Sequence, residues 1–186
     1  MVNDQMVNKV RLFLTDVDGC LTEGGMYYTA EGEVMKRFCV YDGMGMVRLQ
    51  QAGVACGILT SELSDIVLAR ARKLHLQYLY LGAGSKIGNP VRRYIPADAE
   101  AEQLPSMTKL EATQEICSAL GISLGAVCYV GDDINDIDLL KEVGMPCCPP
   151  NARPEVLAIK GIHVLKTPGG QGAIREITDE ILGMNE

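Results

Sequence analysis

The chain has 186 residues, 47% of them apolar and 22% charged, and carries a net charge of −7. That length suits one domain with a sizeable core, and the acidic balance argues against a nucleic-acid or anionic-membrane partner. The polar start, Met1 to Lys9, precedes an apolar stretch far too short for a signal or membrane helix. Seven cysteines include no Cys-x-x-Cys, and Cys147 and Cys148 are adjacent, so reduced core thiols and a cytoplasmic chain are expected.

In chain order, residues 10–15 read as a first buried strand. Residues 26–29 and 34–40 flank the turn-like Ala30-Glu31-Gly32-Glu33 and predict a hairpin within about 24–40. A helix follows from Met44 to Gln51, with Met44 and Met46 as core, and then a second buried strand ends at Thr60. Ser64 starts a helix through Leu74, and residues 78–81 form a short strand. An inserted loop over about 82–108 comes next, before a helix from Thr108 to Leu120 that stops at Gly121. The strand 126–130, a short helix over 134–143, the strand 145–148 and a strand–helix pair around 162–182 complete the order. Alternating strands and helices imply an α/β fold: a Rossmann-like parallel sheet with helices on both faces. No stretch is long enough for a cap domain, since residues between Asp18 and Thr60 hold only the hairpin and one helix.

In such sheets ligands bind beyond the carboxyl ends of the strands. Asp16-Val17-Asp18-Gly19, Thr60 and Gly131-Asp132-Asp133 all fall at such ends. Two carboxylates one residue apart are costly unless a cation or proton compensates them, which makes Asp16, Asp18 and Asp132 candidate ligands of a hard cation such as Mg²⁺. The chemistry open to this set is phosphoryl transfer through an aspartyl phosphate. Asp16 would attack phosphorus, while Asp18 would protonate the leaving alkoxide and then activate water. Thr60 would donate to a phosphoryl oxygen and Lys109 would neutralise the nucleophile and the developing charge. Asp133 is expected to open the helix that follows, or to pair with a lysine. The two histidines have no metal-ligand spacing, which argues against zinc.

Asp16-Val17-Asp18-Gly19-Cys20-Leu21-Thr22, the strand ending at Thr60, Lys109 at a helix start and Gly131-Asp132-Asp133-x-Asn135-Asp136 resemble the four ordered motifs of the haloacid dehalogenase superfamily. Asp42-Gly43-x-Gly45 and the tail Gly169-Gly170-x-Gly172-Ala173-x-Arg175-Glu176 are similar to its small, cap-less sugar-acid phosphatases. These act on 3-deoxy-D-manno-octulosonate 8-phosphate or on nine-carbon sialic-type acids. The resemblance implies a Mg²⁺-dependent phosphatase, a supporting role for Asp136, Gly43 and Ser61 at the substrate, and a tail (about 167–186) that closes on it. It also implies a homotetramer whose hairpins pair and whose subunits wall each other's clefts. The apolar hairpin residues Met26, Tyr27, Tyr28, Val34 and Phe38 suit such an interface or, equally, packing on their own sheet.

Two departures from that pattern bear on function. Relatives run from the strand through Gly-x-x-x-Lys into the helix; here Gly82 to Lys86 meets that spacing, but Gly88-Asn89-Pro90 stops a helix at once. Thr108-Lys109-Leu110-Glu111 makes a capping box before the next helix, so Lys109 is preferred to Lys86. The second departure is Thr60-Ser61-Glu62, where octulosonate phosphatases usually carry Gly-Arg after the Ser/Thr. Glu62 would repel a substrate carboxylate but accept hydrogen bonds from a longer polyol. Arg70 and Lys73, about 12–16 Å further along the helix, would then serve a neighbouring subunit's cleft. This Glu, Arg and Lys pattern resembles the nonulosonate branch of the family, and the resemblance implies a 2-keto-3-deoxy nonulosonate 9-phosphate as substrate, with the octulosonate 8-phosphate as the alternative. A non-catalytic assembly module, like the C-terminal domain of animal CMP-sialate synthetases, is the rival from another class; the retained Asp16 and Asp18 argue against it. A two-component receiver domain fails on the order of its motifs.

Overall fold

The computed structural model describes residues 10–85 and 88–183, so Lys86, the first nine residues and the last three of the tail lie outside the described residues. The elements in chain order are β1 (Leu12–Thr15), β2 (Tyr27–Thr29), β3 (Gly32–Met35), α1 (Val40–Gln51), β4 (Ala55–Thr60), α2 (Asp65–Lys73), β5 (Tyr78–Leu81), β6 (Val91–Tyr94), β7 (Glu102–Leu104), α3 (Lys109–Leu120), β8 (Val127–Val130), α4 (Ile137–Leu140), β9 (Met145–Cys148), α5 (Pro154–Leu157), β10 (His163–Val164) and α6 (Ala173–Ile181). Eight strands form one sheet in the order β10-β9-β8-β1-β4-β5-β6-β7, and β2 and β3 pair separately. The six strands from β10 to β5 are parallel, with Thr15 of β1 level with Ile58 of β4 and Val130 of β8. Alternation along β1 sends Phe13 to one face and Leu12 and Leu14 to the other. Phe13 joins Met46, Leu49, Val67, Ala71, Ile174 and Ile177 from α1, α2 and α6. Leu12 and Leu14 join Ala112, Ile116, Leu139 and Val156 from α3, α4 and α5. Helices therefore cover both faces, as expected. The described cysteines are free thiols, and Cys56, Cys128, Cys147 and Cys148 lie in the core.

Three local expectations are corrected. The second hairpin strand ends at Met35 rather than at residue 40, because Lys36 turns inward to an ion pair and Phe38 packs on the core. α1 consequently starts at Val40, and Met44 on its outer side is 51% exposed while Met46 is buried. The inserted segment is not all loop: β6 pairs antiparallel with β5, and β7 with β6, extending the sheet. Val91 and Tyr94 are buried while Arg92 and Arg93 are only partly covered, a pattern that lets the hairpin cover what would otherwise be the exposed edge of β5. Arg92 ties this hairpin to the start of α2, donating to Asp65 Oδ1 and to Leu63 O, each at 3.0 Å.

Candidate active site

The carboxyl ends of β1, β4 and β8 bring Asp16, Thr60 and Asp132 to one edge of the sheet. Asp16 follows β1 directly; its amide donates to Val130 O at 2.9 Å and its Oδ1 accepts the Val17 amide at 2.7 Å. Lys109 is the first residue of α3, behind the capping box in which Thr108 and Glu111 satisfy each other's amides. The box sets the helix start so that the Lys109 side chain, 1% exposed, runs inward. Its Nζ lies 2.7 Å from Asp16 Oδ2 and 2.7 Å from Asp136 Oδ1. Asp136 Oδ1 also accepts the Tyr129 hydroxyl at 2.5 Å, and its Oδ2 accepts the amides of Asp132 and Asp133 at 2.9 and 3.1 Å. The lysine partner is thus Asp136 and not Asp133, which instead accepts the Ile134 amide and opens the short 3₁₀ turn.

Asp16, Asp132 and Asp136 each offer an oxygen within 4.8 Å of the others. Burial pushes the Asp16 carboxyl up to about 7, with Asp136 adding to the rise and Lys109 opposing it. Burial, then Asp16 and Asp136, push Asp132 up to about 8. Burial works against the Lys109 ammonium, but Asp136 and Asp16 outweigh it and hold its pKa above the ordinary lysine range. Three crowded carboxylates against one ammonium leave a surplus of negative charge that a hard dication would neutralise, and an all-oxygen donor set fits Mg²⁺. Asp18, expected among the ligands, stands apart from this trio: its Oδ1 is 2.6 Å from Lys36 Nζ. Two glycines make the crowding possible. A Cβ on Gly19, whose φ is +88°, would fall 2.0 Å from Asp132 Oδ2, and one on Gly131 would fall 2.6 Å from the side chain of Asp136.

Thr60 is buried, and its Oγ1 accepts the Glu62 amide at 3.2 Å. Ser61 Oγ accepts from Asn135 Nδ2 at 2.7 Å and donates to Ala83 O at 3.2 Å, which ties the β4 loop to the loops after β8 and β5. Glu62 and Lys73 are exposed. Arg70 lies over the Phe38 ring at 5.6 Å and donates to Cys39 O at 3.4 Å, so within one chain neither Arg70 nor Lys73 joins the aspartates. Gly43 is a packing residue here: a Cβ on it would strike Arg70 Nη2 at 2.2 Å. The glycine tail, expected to be free to close, is docked through its described residues. Gly170 donates to Cys20 O at 2.9 Å, and Asn151 bridges Gly19 O (3.0 Å) and the Gly169 amide (2.8 Å). Asp42 of α1 accepts the Arg175 amide at 2.9 Å and so caps α6 from outside. Sequence reasoning missed Lys36, Tyr129 and Cys20, whose thiol donates to Asp132 Oδ1 at 3.5 Å. Lys36 alone left a signal, as one of two adjacent cations, Lys36 and Arg37, inside an otherwise apolar run.

An aspartate at the end of a central parallel strand, joined there by a buried lysine and two further aspartates, makes a crowded carboxylate site at the carboxyl edge of an α/β sheet, suited to a divalent cation. The sequence profile of the haloacid dehalogenase-like hydrolase family matches residues 104–168, a stretch that carries Lys109, Asp132 and Asp136. The 3-deoxy-D-manno-octulosonate 8-phosphate phosphatase of Yersinia pestis is 30% identical over 178 residues, covering 96% of this chain and 82% of its own. Its Haemophilus influenzae counterpart is 29% identical, covering 96% and 86%. Among solved structures, the Moraxella catarrhalis 3-deoxy-D-manno-octulosonate 8-phosphate phosphatase, in complex with magnesium, phosphate and KDO, aligns with a TM-score of 0.80 at 30% identity, over 97% of this chain and 90% of its own. The cobalt-bound Haemophilus influenzae phosphatase aligns at 0.79 and 29% identity, over 97% and 91%. The chain belongs to the haloacid dehalogenase-like hydrolases, in their cap-less sugar-acid phosphatase branch, and is a phosphoric monoester hydrolase.

Proposed function

We propose that the chain hydrolyses the terminal phosphate of a 2-keto-3-deoxy sugar acid with Mg²⁺ as cofactor, 3-deoxy-D-manno-octulosonate 8-phosphate being the first candidate. The observation that carries the chemistry is the buried Asp16–Lys109–Asp136 arrangement beside Asp132. Asp16 attacks phosphorus and forms an acyl phosphate as the ester oxygen departs, and Asp18 gives that oxygen its proton. Asp18 then takes a proton from water, whose oxygen attacks phosphorus, releasing phosphate and restoring Asp16. Thr60 and Lys109 hold the phosphoryl oxygens, and Asp16, Asp132 and Asp136 hold the cation, which when bound offsets the negative charge of the phosphate. The named relatives favour the eight-carbon acid.

A nonulosonate 9-phosphate is the second reading. It rests on Glu62, exposed two residues after Thr60, whose carboxylate is suited to hydroxyls rather than to an acid. Arg70 and Lys73 serve substrate in either reading only across subunits, which agrees with a homotetramer. The exposed Met26, Tyr27, Tyr28, Val34 and Met35 of the hairpin support such an assembly. No helix among the described residues is long and apolar enough to cross a membrane. Comparing kcat/KM for the two acids, with and without Glu62→Ala, tests the assignment. A preference for the eight-carbon phosphate undiminished by Glu62→Ala supports the first reading, and a nine-carbon preference that collapses in the variant supports the second. Absence of Mg²⁺-dependent phosphate release from both overturns the proposal.

A further inference from the structure

Lys36 is the outlier of the hairpin. Its neighbours Met35 and Arg37 are exposed, yet the Lys36 side chain is 0% exposed. Its Nζ lies 2.6 Å from Asp18 Oδ1 and 2.7 Å from Glu33 Oε1. Glu33 in turn accepts the Ser64 hydroxyl at 2.5 Å, and Ser64 opens α2 directly after the Thr60-Ser61-Glu62 loop. Burying an ammonium costs several kcal/mol unless good geometry compensates it, and a lysine on an outer ribbon would ordinarily reach water. Here the chain instead spends two carboxylates on it, one of them Asp18. Among the described residues the other side-chain contact of Asp18 is weak, the Thr22 hydroxyl at 3.5 Å.

We infer that Lys36 is a positioning residue for the reaction, one that presupposes the acid–base reading of Asp18 given above. It fixes the Asp18 carboxylate in place and, through Glu33 and Ser64, ties that placement to the hairpin and to the start of α2. Asp18 follows β1 on a turn that ends in a glycine, so its side chain has little else to orient it. Misplacing a reacting group by about an ångström can cost about 10²-fold in rate. The hairpin is thereby part of the catalytic machinery and not only a surface for assembly.

The test is rapid-quench kinetics of Lys36→Ala and Lys36→Arg with two substrates, para-nitrophenyl phosphate and octulosonate 8-phosphate. Nitrophenolate leaves without needing a proton, so Lys36→Ala should keep its nitrophenol burst within about twofold. Its steady-state turnover, which needs Asp18 to take a proton from water, should fall about 10- to 10²-fold. With the sugar phosphate both phases should slow, KM should change little, and Lys36→Arg should recover most of the loss. Wild-type kinetics in Lys36→Ala, or an equal loss of burst and steady state, overturns the inference. Should Lys36→Ala not fold, Glu33→Gln loosens the same lysine and should slow the same phase to a smaller extent; unchanged kinetics there overturns it equally. Asp18→Asn, run in parallel, separates the two failures. If it keeps full turnover, the acid–base reading itself is wrong. If it is inactive while Lys36→Ala is normal, only the positioning role is lost.

Discussion

Lys109→Met removes the one ammonium from a cluster of three carboxylates and replaces it with an apolar side chain of similar length. Lys109 is 1% exposed and lies 2.7 Å from both Asp16 and Asp136. Removing one partner of a buried ion pair costs about 3–5 kcal/mol, and this cation serves two partners, so a loss of about 5 kcal/mol is expected in EDTA at pH 8. Proton uptake relieves part of that loss. Asp16 already stands at about 7 and Asp132 at about 8, and losing the ammonium raises Asp16 further. The folded chain then holds protons that unfolded carboxylates, near 3.8, have released, so stability falls as pH rises from about 4 through 8. The loss should accordingly be smaller at pH 5 than at pH 8, and saturating Mg²⁺ should reduce it. Urea unfolding followed by circular dichroism at both pH values, with EDTA or Mg²⁺, reads all of this. A loss below about 1 kcal/mol at pH 8 in EDTA, or one indifferent to pH and Mg²⁺, would refute the reasoning. Turnover should drop by at least about 10²-fold even with Mg²⁺ saturating. Full activity in Lys109→Met together with its loss in Lys86→Met would move the role to Lys86.

Mg²⁺ binding at pH 7 should release roughly one to one and a half protons per chain, because Asp132, held at about 8, is mostly protonated and Asp16, held at about 7, is about half protonated before the cation arrives. Calorimetric titration in two buffers of different ionisation enthalpy measures it; the release should fade toward pH 10, and none at pH 7 contradicts the crowding of the three carboxylates. Gly19→Ala should weaken Mg²⁺ and cut turnover by at least about 10²-fold, since its Cβ would stand 2.0 Å from Asp132 Oδ2 on a backbone with φ +88°. An unchanged half-saturating Mg²⁺ concentration in activity titrations would show that the turn yields without disturbing Asp132.

The alternating strands and helices, the strand ends that carry Asp16, Thr60 and Asp132, and the start of α3 at Lys109 were all legible in the chain. Buried parallel strands are short apolar runs bounded by turn residues, and the Thr108–Glu111 box is a local signal four residues long. The preference for Lys109 over Lys86 rested on local information alone, because Gly88 and Pro90 cannot continue a helix; Lys86 lies outside the described residues, and the pair of variants above decides between them. Contacts across the fold left no such trace. That the lysine pairs with Asp136 rather than Asp133 depends on which of two neighbouring carboxylates the 3₁₀ turn points inward. The same holds for the inward turn of Lys36 and for the docking of Gly169 and Gly170 on the Asp16 loop. It holds again for the pairing of β6 and β7 along the edge of β5. Hydrophobic period and capping act over a few residues and are written into their order. The partner of a buried charge, or of a free sheet edge, is decided by residues up to a hundred or more positions away, and only the assembled sheet brings them within reach.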